Sequence, residues 1–155
     1  MQSPRGDIMY RKILVPTDGT ELSLNAVREA CGLARSVGAE LLVLHVRSPI
    51  DAPHHVEGGA LSRLPQSTVM EEVEQEERTV LESAMRMATD AHVGARLAFV
   101  SAYSVYETIM RVAKEEQCDL IVMASHGRRG LAGLLLGSET QKLLTHAKTP
   151  VLVVR

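Results

Sequence analysis

The stretch Leu41-Leu42-Val43-Leu44-His45-Val46 decides the fold. A short, nearly continuous apolar run without polar alternation is the pattern of a strand in a parallel sheet whose two faces are both covered by helices. Toward the N-terminus, Gly38 stops a stretch in which Leu24, Val27, Cys31 and Ala34 recur at three-and-four spacing, which predicts a helix over Glu21–Val37. Before that helix, Lys12-Ile13-Leu14-Val15-Pro16 reads as a first strand, closed by a proline that cannot continue a central strand. Thr17-Asp18-Gly19-Thr20 is the turn that joins the two. Strand, helix and buried strand in this order form a βαβ unit.

The alternation continues toward the C-terminus. Residues 47–67 are rich in Pro, Gly and His without periodicity over about 20 positions, which predicts a flexible loop: a functional flap or a partly disordered segment. Val73, Val80, Ala84, Met87 and Ala91 mark one face of a helix over about residues 68–91, and Glu71, Glu72 and Glu74 suit its positive N-terminus. A third strand is expected at Arg96–Val100. Ser104-Val105-Tyr106-Glu107 has the Ser-x-x-Glu form of a capping box and opens a helix with Ile109, Val112 and Ala113 on its inner face. Leu120–Met123 reads as a fourth strand, residues 139–147 as a last helix and Val151–Val154 as a fifth strand. The expectation is a single α/β domain over residues 10–155 after a flexible tail over 1–9: a Rossmann-like, open, mainly parallel five-stranded sheet with helices on both faces.

Composition narrows the function classes. The 155 residues suit one domain, and 45% hydrophobic with 23% charged residues is ordinary for a soluble globule. Aromatics supply 3%, with no Trp, so aliphatic side chains must fill the core. Seventeen Lys and Arg against 19 Asp and Glu give a net charge of −2, which lacks the basic excess of a nucleic-acid binder, so no nucleic-acid partner is expected. No apolar run approaches the ~18 residues that span a bilayer, and MQSPRGDIMY has no apolar leader core, so neither membrane insertion nor secretion is expected. Cys31 and Cys118 lie far apart without Cys-x-x-Cys or Cys/His ligand spacing, which indicates free thiols and a cytoplasmic location. Each reads as a small core residue. His54 and His55 lack carboxylate partners at ligand spacing, so no metal site is assigned.

Open parallel sheets bind ligands beyond the carboxyl ends of their strands, where the strand order reverses. The loop after strand four, Ala124 to Ser138, holds four of the eleven glycines. Glycine lets the backbone approach a ligand closely, and Ser138-Glu139-Thr140-Gln141 then opens a helix whose free N–H groups and dipole form an anion site. The alternative is that the glycines only make turns and Ser138 only caps the helix. Arg128 and Arg129 could screen phosphate charge or stand as a solvated pair. His126, inside the glycine loop, is equally a structural or a ligand-contacting residue. His45 is expected to be hydrogen-bonded within the core. Asp18 followed by Gly19 is a turn pair on its own, and its place at the tip of strand one favours a ligand role.

Ala124-x2-Gly127-x9-Gly137-Ser138, with KILVPTDGT, LLVLHV, DLIVMASHG and TPVLVV at matching spacings, resembles the universal stress protein family over nearly the whole chain. Its ATP-binding members show Gly-x2-Gly-x9-Gly followed by Ser or Thr. The chain departs at the first glycine, which is Ala124. A methyl there is harmless where φ is negative and crowding where the backbone must reach ribose or phosphate. The resemblance implies an adenine nucleotide alpha hydrolase-like fold and a cytoplasmic homodimer that binds ATP, with or without Mg2+, as a stress-response sensor or switch. It implies Pro16, Thr17 and Asp18 beside the adenosine, and Val46 offering backbone groups to the adenine edge. Met123, Ala124, Ser125, His126, Gly127 and the turn Arg128, Arg129 and Gly130 would border ribose and phosphates. Gly137, Ser138, Glu139 and Thr140 would meet the phosphates at the helix start. No Walker Gly-x4-Gly-Lys and no nucleophile–base constellation is present, so no enzyme beyond weak ATP hydrolysis is expected. The alternatives are a nucleotide-independent dimeric interaction protein of the same fold and a slow ATPase. The resemblance also implies that the closing strand, too apolar to be left as a bare edge, pairs with its own copy in a homodimer.

Overall fold

A computed structural model describes residues 9–48, 75–127 and 135–155. The expected tail over residues 1–8, the loop over 49–67 and the helical residues 68–74 lie outside them. The described elements follow in the order β1 (Lys12–Pro16), α1 (Glu21–Val37), β2 (Glu40–Arg47), α2 (Gln75–Asp90), β3 (Ala95–Ser101), α3 (Val105–Glu115), β4 (Leu120–Ala124), α4 (Ser138–His146) and β5 (Val151–Val154).

All four strand pairings are parallel, and the sheet order is β3-β2-β1-β4-β5. The chain therefore winds outward from β1 to one edge through β2 and β3, then returns to the other side of β1 for β4 and β5. That reversal leaves a crevice between the carboxyl ends of β1 and β4.

Strands β1, β2 and β4 are buried on both faces, which is why they read as unbroken apolar runs. Ile13, Val15, Leu41, Val43, Leu120 and Val122 pack with Ala26, Val27, Ala30 and Ala34 of α1 and with Ala84 and Ala88 of α2. Leu14, Leu42, Leu44, Ile121 and Met123 point to the other face, against Ile109, Val112 and Ala113 of α3 and Leu143 of α4. Cys31 and Cys118 sit in these two clusters, and burial raises both thiols, Cys118 to about 11.

Both ends of α1 are fixed by the residues that flank it. The Thr20 hydroxyl accepts the Ser23 N–H at 3.2 Å, and Gly38, at φ 73°, donates its N–H to the Ala34 carbonyl. The two later caps differ from expectation. Ser104 precedes α3 but makes no side-chain cap bond, and Glu107 accepts the Tyr106 hydroxyl at 3.1 Å instead of reaching back to Ser104. Ser138 is the first helical residue of α4, so Gly137 takes the N-cap position.

Candidate functional site

A cleft of about 330 Å³ opens at the carboxyl ends of β1, β2 and β4. Its floor and base end are apolar, from Pro16, Leu44, Val46, Ile109 and Met123, and Val105 and Tyr103 stand at the β3–α3 side. Tyr103 is 80% exposed.

The tip of β1 is bonded from several directions. The Thr17 N–H continues the ladder by donating to the Leu44 carbonyl at 2.9 Å, and the buried Thr17 hydroxyl lies 2.9 Å from the Ser23 hydroxyl. Asp18 follows. Its Oδ1 accepts the Thr20 N–H at 3.0 Å and the Thr20 hydroxyl at 2.7 Å, so the carboxylate is tied to the cap of α1. Gly19 has φ 84°, and a Cβ on it would lie 2.8 Å from a Val80 methyl of α2. Both facts restrict this position to glycine.

The end of β4 and the start of α4 close the opposite side. Gly137 donates its N–H to the Ser125 carbonyl at 2.7 Å, and the buried Thr140 hydroxyl donates to the Ala124 and Ser125 carbonyls at 3.1 and 3.2 Å. Ser125 is buried, with its hydroxyl 3.1 Å from His126 Nδ1. These bonds hold the first turn of α4 against the β4 loop, with the amides of Ser138, Glu139 and Thr140 among the helix's unpaired donors. Close approach, and not a left-handed backbone, explains the glycines here. Gly137 has φ −67°, and an added Cβ would lie 3.2 Å from the Ser125 oxygen and 3.3 Å from His126 Cα. A Cβ on Gly127 would lie 2.8 Å from Asp18 Oδ2, so these two loops touch across the crevice.

Ala124 is the last residue of β4, paired with Val154, and its methyl packs in the core on the α1 side. The alanine therefore sits in extended backbone. The Glu139 carboxylate is engaged by the protein itself. Its Oε2 accepts the Tyr106 N–H at 2.9 Å, satisfying a free donor at the start of α3, and its Oε1 accepts Lys142 Nζ at 3.1 Å. Its backbone amide remains part of the first turn of α4. Of the implied site residues that are described, all line this one cleft except Ser125, which is buried and not part of its lining. Arg128, Arg129 and Gly130 lie outside the described residues.

A buried polar cluster that motif reading did not identify as a unit forms the β2 wall. Glu77 of α2 faces the cleft, accepts from Arg47 Nε on one oxygen and from Arg47 Nη2 on the other, and lies 3.1 Å from His45 Nε2. His45 Nδ1 is 2.8 Å from the Thr17 carbonyl, and the ring stacks on Phe99, over whose ring the Arg47 guanidinium also lies, 5.4 Å from the centroid. Burial alone would raise the Glu77 carboxyl, but the hydrogen bonds and charges of His45 and Arg47 hold it down at about 2. The expectation that His45 is hydrogen-bonded inside the protein is met, and its partners extend it into this cluster.

The profile of the universal stress protein family matches residues 9–155. The chain is 31% identical over 150 residues to a universal stress protein of Methanocaldococcus jannaschii, covering 97% of this chain and 85% of that relative. It is 34% identical over 151 residues to universal stress protein YxiE of Bacillus subtilis, covering 95% and 100%. Among solved structures, a universal stress protein in complex with cAMP aligns with a TM-score of 0.67 over 94% of this chain and 97% of the other, at 24% identity. Another, from Archaeoglobus fulgidus in complex with dAMP, aligns at 0.64 over 95% and 99%, at 19% identity. These two structures share the fold.

Proposed function

The chain belongs to the universal stress protein family, and from that premise we propose that its cleft binds an adenine nucleotide, ATP being the expected ligand, as a sensor or switch. The observation that carries this reading is the convergence of Asp18, Gly127, Gly137 and the first turn of α4 on one crevice at the reversal of strand order. A helix N-terminus whose first-turn amides open onto this crevice suits an anion approaching backbone donors. The apolar base end between Val46, Ile109 and Met123 suits a purine ring. Two neighbours of the same fold are in complex with the adenine nucleotides cAMP and dAMP.

Within this reading each group has a task. Asp18 would accept hydrogen bonds from the adenosine, Val46 would offer its backbone to the base edge, and the amides of residues 138–140 would meet phosphate. Among the described residues no group of three His, Cys, Asp or Glu side chains could hold a metal alone, so Mg2+ would arrive with the phosphates as its ligands. The protein would sense nucleotide without rapid phosphoryl transfer, in the cytoplasm and as a homodimer. The dimer contact would be β5, the sheet-edge strand whose Leu152 is 44% exposed.

The test is an absorbance spectrum of freshly purified protein, followed by equilibrium dialysis against labelled ATP. With no Trp and three Tyr, a retained adenine would dominate near 260 nm. Saturable binding of one nucleotide per chain is expected. Absence of binding at millimolar ATP would overturn the reading.

A further inference from the structure

Both ring nitrogens of His45 meet acceptors. Nδ1 is 2.8 Å from the Thr17 carbonyl oxygen, which can only accept, and Nε2 is 3.1 Å from a Glu77 carboxylate oxygen. The Thr17 contact therefore has Nδ1–H as its donor, and the Glu77 carboxylate beside Nε2 is held in place by Arg47, which bonds both of its oxygens. The other groups facing the ring are accounted for: the Thr17 carbonyl at the end of β1, Glu77 of α2, Phe99 of β3 stacked at 5.6 Å, and Arg47 on its own strand.

This arrangement has a consequence for the cleft. β1 ends at Pro16, and Thr17 is the residue that hands the chain to Asp18. The Thr17 N–H is held by Leu44, its hydroxyl by Ser23, and its carbonyl by His45 alone among these partners. We propose that His45 is the positioning residue of this cleft: bonded between the Thr17 carbonyl and the Glu77 carboxylate, it holds the β1 tip where Asp18 can meet a bound nucleotide. The proposal rests on the nucleotide reading above. A histidine that merely filled the core would need one donor bond and no carboxylate partner. Here α2 supplies that partner, and Arg47 keeps it ionised.

The test joins a spectroscopic reading to a pair of substitutions. Nitrogen-detected NMR of the wild type is expected to show His45 Nδ1 as a hydrogen-bonded N–H donor, coupled across the bond to the Thr17 carbonyl. His45→Asn keeps a donor near the Nδ1 position and should bind ATP within about twofold of wild type, whereas His45→Leu should bind roughly tenfold more weakly. If His45→Leu does not fold, His45→Phe, which keeps a ring against Phe99 but has no donor, carries the affinity comparison, with a loss of the same direction expected. An Nδ1 without a proton in the wild type, wild-type affinity in His45→Leu, or an Asn variant as weak as the Leu variant would each overturn the proposal. Wild-type binding combined with any of these leaves the nucleotide reading standing. Failure of the wild type to bind ATP overturns both.

Discussion

Replacing Gly127 by alanine should disturb a residue remote in sequence, Asp18, and the size of the effect can be worked from the structure. The added Cβ would lie 2.8 Å from Asp18 Oδ2, closer than any unstrained contact, so the carboxylate must turn or the loop after β4 must shift. Turning the carboxylate breaks its bonds from the Thr20 N–H at 3.0 Å and the Thr20 hydroxyl at 2.7 Å. Each charged bond is worth about 1.5–3 kcal/mol when buried, and both are part-buried here, so screening reduces them. Thr20 also caps α1 through Ser23, and a loosened cap costs about 1 kcal/mol. The expected loss is roughly 1–3 kcal/mol, with a drop in melting temperature of about 3–10 °C for a chain of this size. A double-mutant cycle separates this route from a general glycine effect: in an Asp18→Ala background, Gly127→Ala should cost far less, because the carboxylate it strikes is gone. Thermal denaturation of the four proteins is the assay. Equal losses from Gly127→Ala with and without Asp18 would refute the contact, and an unchanged melting temperature would refute the crowding itself.

Gly137→Val should abolish ATP binding in a titration calorimeter while the circular dichroism spectrum stays native, because its branched side chain would press on the Ser125 carbonyl and His126 beside the first turn of α4; unchanged affinity would remove the phosphates from this helix. Asp18→Ala should weaken adenosine binding by roughly 1–3 kcal/mol, and equal affinity in both proteins would return Asp18 to a turn-forming role. Glu77 is held at about 2 against an ordinary 4.5, so its stabilisation is full above pH 4.5 and is lost as pH falls toward 2; urea denaturation should show a loss of up to about 3 kcal/mol across that window, flattened in Glu77→Gln. Val153→Lys puts charge on the apolar edge strand β5 and should convert a dimer to monomer in sedimentation velocity, so a variant that sediments as a dimer would place the interface elsewhere.

The parts of the fold legible in the sequence are those where burial acts on consecutive residues. β1, α1 and β5 begin and end where their apolar runs, with Pro16 and Gly38 as stops, indicate. The parts that were not legible depend on partners distant in the chain. Ser104-x-x-Glu107 has the form of a capping box, yet the Tyr106 N–H is taken by Glu139, 33 positions away. Gly137 suggests a left-handed turn but has φ −67°; its lack of a side chain answers to the proximity of Ser125 and His126, which no local pattern records. Glu77 stands in an acidic helical stretch like any solvated glutamate, and only the docking of α2 brings it to His45 and Arg47. The glycine spacing marks the cleft, whereas its polar wall is a product of tertiary packing.

ATP seated in the crevice between β1 and β4 would perturb the backbone that lines it, which amide-resolved NMR reads during an ATP titration. Saturable shifts are expected on the amides of Asp18, Gly127 and residues 138–140, with Val46 following at the adenine end. Saturation with shifts confined to residues distant from this crevice, or none at millimolar ATP, would contradict this placement.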